Sequence, residues 1–310
     1  MKKSKYIALA AVAAFTVAPL SACGAGQSNG SESKNYEIAM VAKGFSQSFW
    51  VSVHQGADDA AAKYGATVTF NGPDNDSQVD KQADMVQNAI NKSPDAVAIA
   101  PLDEAALTPA VQSAKSASIP LFAFDTAFET NADAITSTVK TSNREVGKVA
   151  AENLIALLNG KGKYAVIAHS QTDATSTERR DGFLDYMKKN APDMEMVGEV
   201  QYSNADQAKA QDIASAILQA NPDLDAIFAT NEATVVGAAT PVESALKSGH
   251  KVLLVGVDSG KAQQQYIRDG VISGSVSQNP YQIGYKTIEN AVKSLNGEKI
   301  DNVIDPGCFW

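Results

Sequence analysis

Two cysteines in 310 residues exclude a cysteine-based metal centre. Histidine is scarce too: His54, His169 and His250 lie far apart without ligand spacing, so each reads as a surface or packing residue. Basic residues are outnumbered, 26 Lys and Arg against 35 Asp and Glu, for a formal charge of -9. Such an acidic surface argues against nucleic acid, whose phosphates call for Lys and Arg. The apolar stretch Ile7–Leu20 falls short of the ~20 residues a membrane-spanning helix needs. Nucleophile elbow, phosphate loop and metal cluster are all missing, which removes the usual motifs of catalysis.

The start of the chain carries a processing signal. Lys2, Lys3 and Lys5 precede the apolar stretch, and small residues lead to Leu20-Ser21-Ala22-Cys23. A basic start, a short apolar segment and small residues at the cut make a secretory signal over 1–22. The ending resembles the bacterial lipobox, in which the cysteine becomes the lipidated first residue of the mature protein. Residues 23–35 are rich in Gly, Ser and Asn and read as a flexible tether. The mature protein is therefore expected outside the cytoplasm, anchored to the membrane by lipid on Cys23. Removing 1–22 takes three lysines and no acid, moving the charge from -9 to -12. With Cys23 lipidated, Cys308 is the one thiol left and no intrachain disulfide can form.

Residues 36–310 suffice for two ordinary domains. Apolar runs suited to buried parallel strands fall at 36–42, 66–70, 96–101, 120–125, 164–168, 196–200, 226–230, 252–258 and 272–276, with a further strand-like run at 134–139. Stretches with helical spacing lie between most of them, at 49–64, 78–91, 145–158, 178–189, 207–220 and 281–295. This alternation predicts parallel sheets with helices on both faces. Ten or so strands are better placed in two sheets than one, giving an α/β protein of two doubly wound lobes. The first passage between lobes is placed near 140, before the N-cap cluster Thr141-Ser142-Asn143.

Open parallel sheets bind ligands beyond the carboxyl ends of their strands. Those ends deliver Lys43, Gln47, Phe49 and Trp50; then Asp125-Thr126, Asn231-Glu232, Asp258 and Ser277-Gln278-Asn279. Arg179 stands in the segment Thr175–Phe183. Carboxylates, amides and a guanidinium suit the hydroxyls of a neutral polyol, and the two aromatics suit the C–H faces of a sugar ring. Each has a plainer reading. Asn231 or Asp258 alone is equally an N-cap, Phe49 and Trp50 equally interlobe packing, and Lys43 reads alone as a solvated rim charge. Six strand ends offering groups compatible with one small ligand favour the site.

Taken in order, several segments resemble the periplasmic sugar-binding proteins of the ribose-binding type, the substrate-capturing component of ABC importers. They are Phe49–Val53 with Gly56-Ala57, Ile119–Asp125, Arg179–Phe183, Asn221–Asp223 leading to Ala229–Glu232, Val255–Asp258 and Gln278–Gly284. The resemblance runs from about Tyr36 to Asp301. It implies the type I periplasmic binding protein fold, two similar lobes joined by three crossings near 140, 279 and 303. The first lobe would be 36–140 plus 280–302 and the second 141–279 plus 303–310. It also implies a monosaccharide ligand, an ABC permease as partner, a monomer, no cofactor and no enzymatic activity. Phe49 and Trp50 would match the aromatic pair that sandwiches the sugar, Asp125 the aspartate taking two hydroxyls, and Arg179 the arginine at the ring oxygen or anomeric region. Asn231, Asp258 and Gln278 would match second-lobe and hinge contacts, and Lys43 and Gln47 further polar ones.

Departures bear on which sugar is bound. Thr126 stands where ribose binders carry arginine, Ala100 where they carry asparagine, and Ala205 where they carry an aromatic. These losses enlarge the expected pocket, so a hexose or a differently held furanose fits at least as well as ribose. The ending Asp305–Trp310 reads as the start of another strand, with a few natural residues expected beyond it. Sugar repressors share this core but carry a helix-turn-helix, whereas the residues before Tyr36 read as signal and tether. Asp125 and Asp258 also fit a glycosidase pair on paper, although on this architecture shared hydroxyls are the better role. A receptor docking to a chemoreceptor or kinase is not separated from an importer component by sequence.

Overall fold

The computed structural model describes residues 35–45 and 47–310. The expected signal segment, Cys23 and the expected tether before Asn35 lie outside them. From its first strand the chain runs β1 (Tyr36–Val41), α1 (Ser48–Tyr64), β2 (Ala66–Asn71), α2 (Val79–Asn91), β3 (Ala96–Ile99), α3 (Glu104–Ser116), β4 (Leu121–Phe124) and β5 (Ile135–Val139). It continues through α4 (Asn143–Leu157), β6 (Gly162–Ala168), α5 (Ala174–Asn190), β7 (Met194–Met196), β8 (Gln201–Tyr202) and α6 (Gln207–Ala220). Then come β9 (Ala226–Ala229), α7 (Glu232–Lys247), β10 (Leu253–Val257), α8 (Lys261–Arg268), β11 (Gly274–Gln278), α9 (Pro280–Leu295), β12 (Val303–Ile304) and β13 (Cys308–Phe309).

Two sheets result. The first has the order β12-β5-β4-β3-β1-β2 and the second β13-β11-β10-β9-β6-β7, with β8 also on β6. The first is parallel throughout, and the second is parallel except for β13, which runs antiparallel to β11. In each, the order reverses beside the first strand to enter, β1 or β6, so each sheet has a switch point where strand ends diverge.

Strand alternation explains why both faces are covered. In the first sheet Ile38, Met40, Ala98, Phe122 and Phe124 pack with α1 and α9, while Val41, Val97, Ile99 and Leu121 pack with α2 and α3. In the second, Val166, Phe228, Val255 and Val257 pack with α4 and α5, while Ile167, Ile227 and Leu254 pack with α6 and α7. Small residues set the tightest helix pairs. A Cβ on Gly56 of α1 would sit 2.0 Å from the Tyr281 carbonyl oxygen of α9, and one on Gly284 of α9 would sit 1.9 Å from the Val53 carbonyl oxygen. Gly147 and Gly182 repeat this between α4 and α5.

The chain passes between sheets after β5, after β11 and after β12. The last passage falls later than the expected 303. Val303 and Ile304 pair with Thr138 and Val139 in the first sheet, because the α9–β12 return closes that sheet's edge before the chain leaves at 305–307. The strand expected at 196–200 is also displaced: Gly198, at φ +65°, interrupts the run, and β6 pairs with β7 before it and β8 after it. Among the described residues no helix is long and apolar enough to cross a membrane.

Candidate functional site

Two aspartates stand at equivalent corners of the two sheets. Asp125 follows β4 and Asp258 follows β10, and both adopt left-handed backbone, φ 62° and 78°. Each donates its N–H to the next strand along, Asp125 to the Val139 carbonyl and Asp258 to the Val276 carbonyl, both at 2.9 Å. This conformation costs a non-glycine residue roughly 1–2 kcal/mol and is found where surrounding structure fixes it, often at ligand clamps. The turn throws both carboxylates beyond the sheet ends.

Around them the second lobe builds a connected polar frame. Asp258 Oδ1 accepts from Gln278 Nε2 (2.7 Å) and Oδ2 from the Glu232 N–H (3.2 Å). Asn231 caps α7, its Oδ1 accepting from the Thr234 N–H and hydroxyl (3.0 and 2.6 Å), which leaves Nδ2 for a ligand. Asn231 is therefore an N-cap that also lines the cavity. Arg179 is buried and donates Nε to Asn143 Oδ1 (2.8 Å) and Nη1 to the Thr230 carbonyl (2.9 Å), leaving Nη2.

Lys43 is not a rim charge. It is 2% exposed and bridges the lobes, with Nζ 2.5 Å from Asp173 Oδ2 and 3.1 Å from Asp125 Oδ2. The cation that the resemblance places at 126 thus reaches Asp125 from the end of β1, while Thr126 only donates its hydroxyl to Asp125 Oδ2 (3.0 Å). Burial works against the Lys43 charge, but Asp173 and Asp125 outweigh it and the ammonium is held above its ordinary pKa. Burial likewise opposes the Asp173 charge, yet the Lys43 ammonium holds that carboxyl well below the usual range. Asp173 also caps α5, accepting from the Thr175 and Ser176 N–H groups at 2.7 and 3.2 Å.

His169 is buried at this end, where its strand-end position after β6 is the signal that the ligand-spacing argument passed over. Thr230 Oγ1 accepts from the His169 backbone N–H (2.9 Å) and lies 2.7 Å from Nδ1. Thr175 gives its hydroxyl proton to Asp173 Oδ1 and so accepts from Nε2 (3.1 Å), which puts the ring proton on Nε2 and lets the Thr230 hydroxyl donate to Nδ1. Burial lowers the imidazole pKa despite Asp173, which fits this neutral form. A second contact across the lobes caps α1. Gln47 makes no side-chain cap; instead Glu232 Oε1 and Oε2 accept from the Ser48 and Phe49 N–H groups, both 3.3 Å. Burial and Asp258 raise the Glu232 pKa, and those two backbone donors oppose the rise.

The aromatic pair differs from expectation. Phe49 and Trp50 ring centroids are 4.9 Å apart at 88°, an edge-to-face contact. A sugar ring between two aromatics needs about 7 Å, two van der Waals contacts of ~3.5 Å each. Consecutive residues on a helix point about 100° apart, so these rings form a corner rather than a sandwich. Trp50 also meets Phe124 edge-on at 6.3 Å, and its Nε1 has no hydrogen-bond partner among the described residues.

All nine residues named from sequence, Lys43, Gln47, Phe49, Trp50, Asp125, Arg179, Asn231, Asp258 and Gln278, line one cavity between the sheets. Asp76, His169 and Thr175 line it as well and were not anticipated. Larger cavities lie along the lengths of β1, β2 and α2, about 330 Å³, and between Asp76, Leu102, His169 and Tyr202, about 590 Å³, but neither is lined by Asp125 and Asp258. Parallel sheets bind ligands at strand ends, so the cavity holding the two aspartates is the candidate site.

Two α/β lobes meeting over buried polar groups at the carboxyl ends of both sheets are the build of a solute-binding protein. The chain matches the periplasmic binding protein domain model over residues 38–299, and it belongs to that family. It is 29% identical over 278 residues to the ribose import binding protein of Bacillus subtilis (strain 168), covering 89% of this chain and 87% of that one. It is 29% identical over 270 residues to the D-allose-binding periplasmic protein of Escherichia coli (strain K12), covering 85% and 86%. The solved ABC transporter solute binding protein of Agrobacterium vitis with bound D-fucose superposes with a TM-score of 0.83 at 35% identity, over 88% of this chain and 94% of that one. These relatives are binding proteins, and this chain is a binding protein rather than an enzyme.

Proposed function

We propose that the protein captures a monosaccharide between its two lobes and delivers it to the permease of an ABC importer, while a lipid on Cys23 tethers it outside the cytoplasm. One observation carries the capture: residues far apart in sequence and drawn from both sheets converge on a single cavity of carboxylates, amides, a guanidinium and an aromatic corner. Their internal hydrogen bonds use Oδ2 of Asp125, Oδ1 of Asn231, and Nε and Nη1 of Arg179. That leaves acceptor and donor atoms on both sides for hydroxyls, which need both. Relatives named for ribose, D-allose and D-apiose, and the structure with D-fucose, support a pentose or hexose.

Lobes 36–140 with 280–304, and 141–279 with 305–310, would part about the three passages to admit the sugar. Closing forms Lys43–Asp173 and the Glu232 cap of α1, contacts absent from an open form, and the ligand adds its own bridging bonds to the same state. The permease would read the closed pair of lobe surfaces.

A thermal-shift screen of pentoses, hexoses and cyclitols tests the capture. At 100 times its Kd a ligand adds about 2.7 kcal/mol to apparent stability, so at least one sugar raises Tm by several degrees. A panel without effect overturns the reading. For the anchor, Cys23→Ser releases the protein from membranes; a variant still sedimenting with them contradicts lipidation.

A further inference from the structure

The β2–α2 loop brings Asp76 to the cavity, opposite the second-lobe frame. Its two carboxylate oxygens are in different situations. Oδ2 accepts from Gln47 Nε2 at 2.7 Å, which fixes the plane of the group. Oδ1 is shut away from solvent and finds no hydrogen-bond partner among the described residues. Space for it comes from Gly44, where a Cβ would fall 2.6 Å from Oδ1. A sequestered carboxylate oxygen without a donor is costly, and it persists in a native site where something else supplies the donor.

We propose that Asp76 is a further specificity-determining residue of this site, its Oδ1 accepting a hydroxyl of the bound sugar. This rests on the monosaccharide-capture reading and deepens it. Asp125 and Asp258 present carboxylates from the strand ends of the two sheets, whereas Asp76 comes from a loop at the side of the first. It therefore selects sugars with a hydroxyl turned toward that loop. Its partner Gln47 acts through it, as a positioning residue.

The titration of the group agrees with this geometry. Burial raises the Asp76 carboxyl to about 6, with Lys43 opposing the rise and Asp173 and Asp125 adding to it. A hydroxyl donating to Oδ1 favours the ionised form, so protons compete with the sugar and affinity falls as pH drops through about 6. Lys43, Asp125, Asp173 and His169 face the same space. Lys43 and Asp173 stay charged across that window, and substitution at 76 separates its contribution from that of His169.

The test takes the best-binding monosaccharide of the panel and its monodeoxy analogues, titrated calorimetrically into wild type, Asp76→Asn and Asp76→Ala. Wild type loses roughly 10- to 100-fold for one analogue, the range of a hydrogen bond to a charged group. Asp76→Ala binds that analogue and the parent sugar with equal affinity, Asp76→Asn, whose amide oxygen still accepts, keeps a reduced preference for the parent, and both lose the fall in affinity near pH 6 shown by wild type. If the variants keep the wild-type discrimination among all analogues and the same pH profile, the assignment to Asp76 is overturned while sugar capture stands. If wild type itself binds no sugar, both fall. Circular dichroism and Tm of the free variants confirm that they are folded, and the equal-affinity readout is one a merely structural role for Asp76 does not produce.

Discussion

In the second lobe Asp258 receives Gln278 and the Glu232 N–H, Arg179 is pinned by Asn143 and Thr230, and Asn231 spends its oxygen on a helix cap. In the first lobe the Asp125 side chain takes only its neighbour Thr126 and Lys43, while Asp76 Oδ1 and Trp50 Nε1 take nothing among the described residues. Yet the strand orders match, and Asp125 and Asp258 occupy the same strained corner. The same scaffold thus carries two kinds of site wall. The second is a polar frame whose members hold one another in place, and the first is an aromatic wall with hydrogen-bonding atoms held in reserve. Substitutions in the frame cost stability and affinity together; substitutions in the reserve cost affinity alone.

The largest effect expected is at Asp258. Asp258→Ala strands Gln278 Nε2 and the Glu232 N–H, about 1–3 kcal/mol for each buried group left unpaired, lowering Tm of the free protein by about 5–10 °C and sugar affinity by ~100-fold. Asp125→Ala loses affinity on a similar scale, but Tm of the free protein falls by less than about 3 °C, because Lys43 keeps Asp173. The strain of alanine at positive φ is common to both and drops out of the comparison. Differential scanning calorimetry with titration of each variant checks the pair, and equal losses of Tm would erase the distinction between the walls.

A smaller effect sharpens the first-lobe half. Trp50→Phe keeps a ring and removes an unsatisfied buried donor, so Tm of the free protein is unchanged or slightly higher. If the sugar uses Nε1, affinity falls by about 3- to 10-fold, the range of a neutral hydrogen bond. A drop in Tm with intact affinity would place Nε1 outside the site.

The least movement is expected from pH at the Lys43–Asp173 bridge. Asp173, held below its unfolded value, contributes fully above about pH 4 and loses that contribution as pH falls below it. Lys43, held above its unfolded value, contributes fully below about pH 10 and loses it at higher pH. The Tm gap between wild type and Lys43→Met is therefore flat from about pH 8 to 9 and narrows below about pH 4, while a step near pH 6 belongs to Asp76, whose carboxyl Lys43 also holds down. A gap that changes between about pH 8 and 9 would mean that the bridge titrates there.

Periodicity made the alternating strands and helices legible, since buried parallel strands read as apolar runs whatever surrounds them. Strand-end reading reached Asp125, Asn231 and Asp258 for the same reason: position along a strand fixes position in the sheet. It failed where a residue's place depends on the opposite lobe. Lys43 looked exposed because its partner Asp173 lies 130 residues on, and Glu232 caps a helix of the other sheet. Asp76 sits in a loop without periodicity. The aromatic sandwich failed on local geometry, because adjacency in sequence sets two rings across a helix turn rather than face to face.

The crystal structure of the protein with its best-binding sugar tests the central claim most directly. The account predicts a closed cleft with the ring against the Phe49–Trp50 corner, hydroxyls on Asp125, Asn231, Arg179 and Asp258, and Lys43 still joining the lobes. A sugar lodged elsewhere, such as the cavity beside β1, β2 and α2, or one touching a single lobe in a closed molecule, would contradict it.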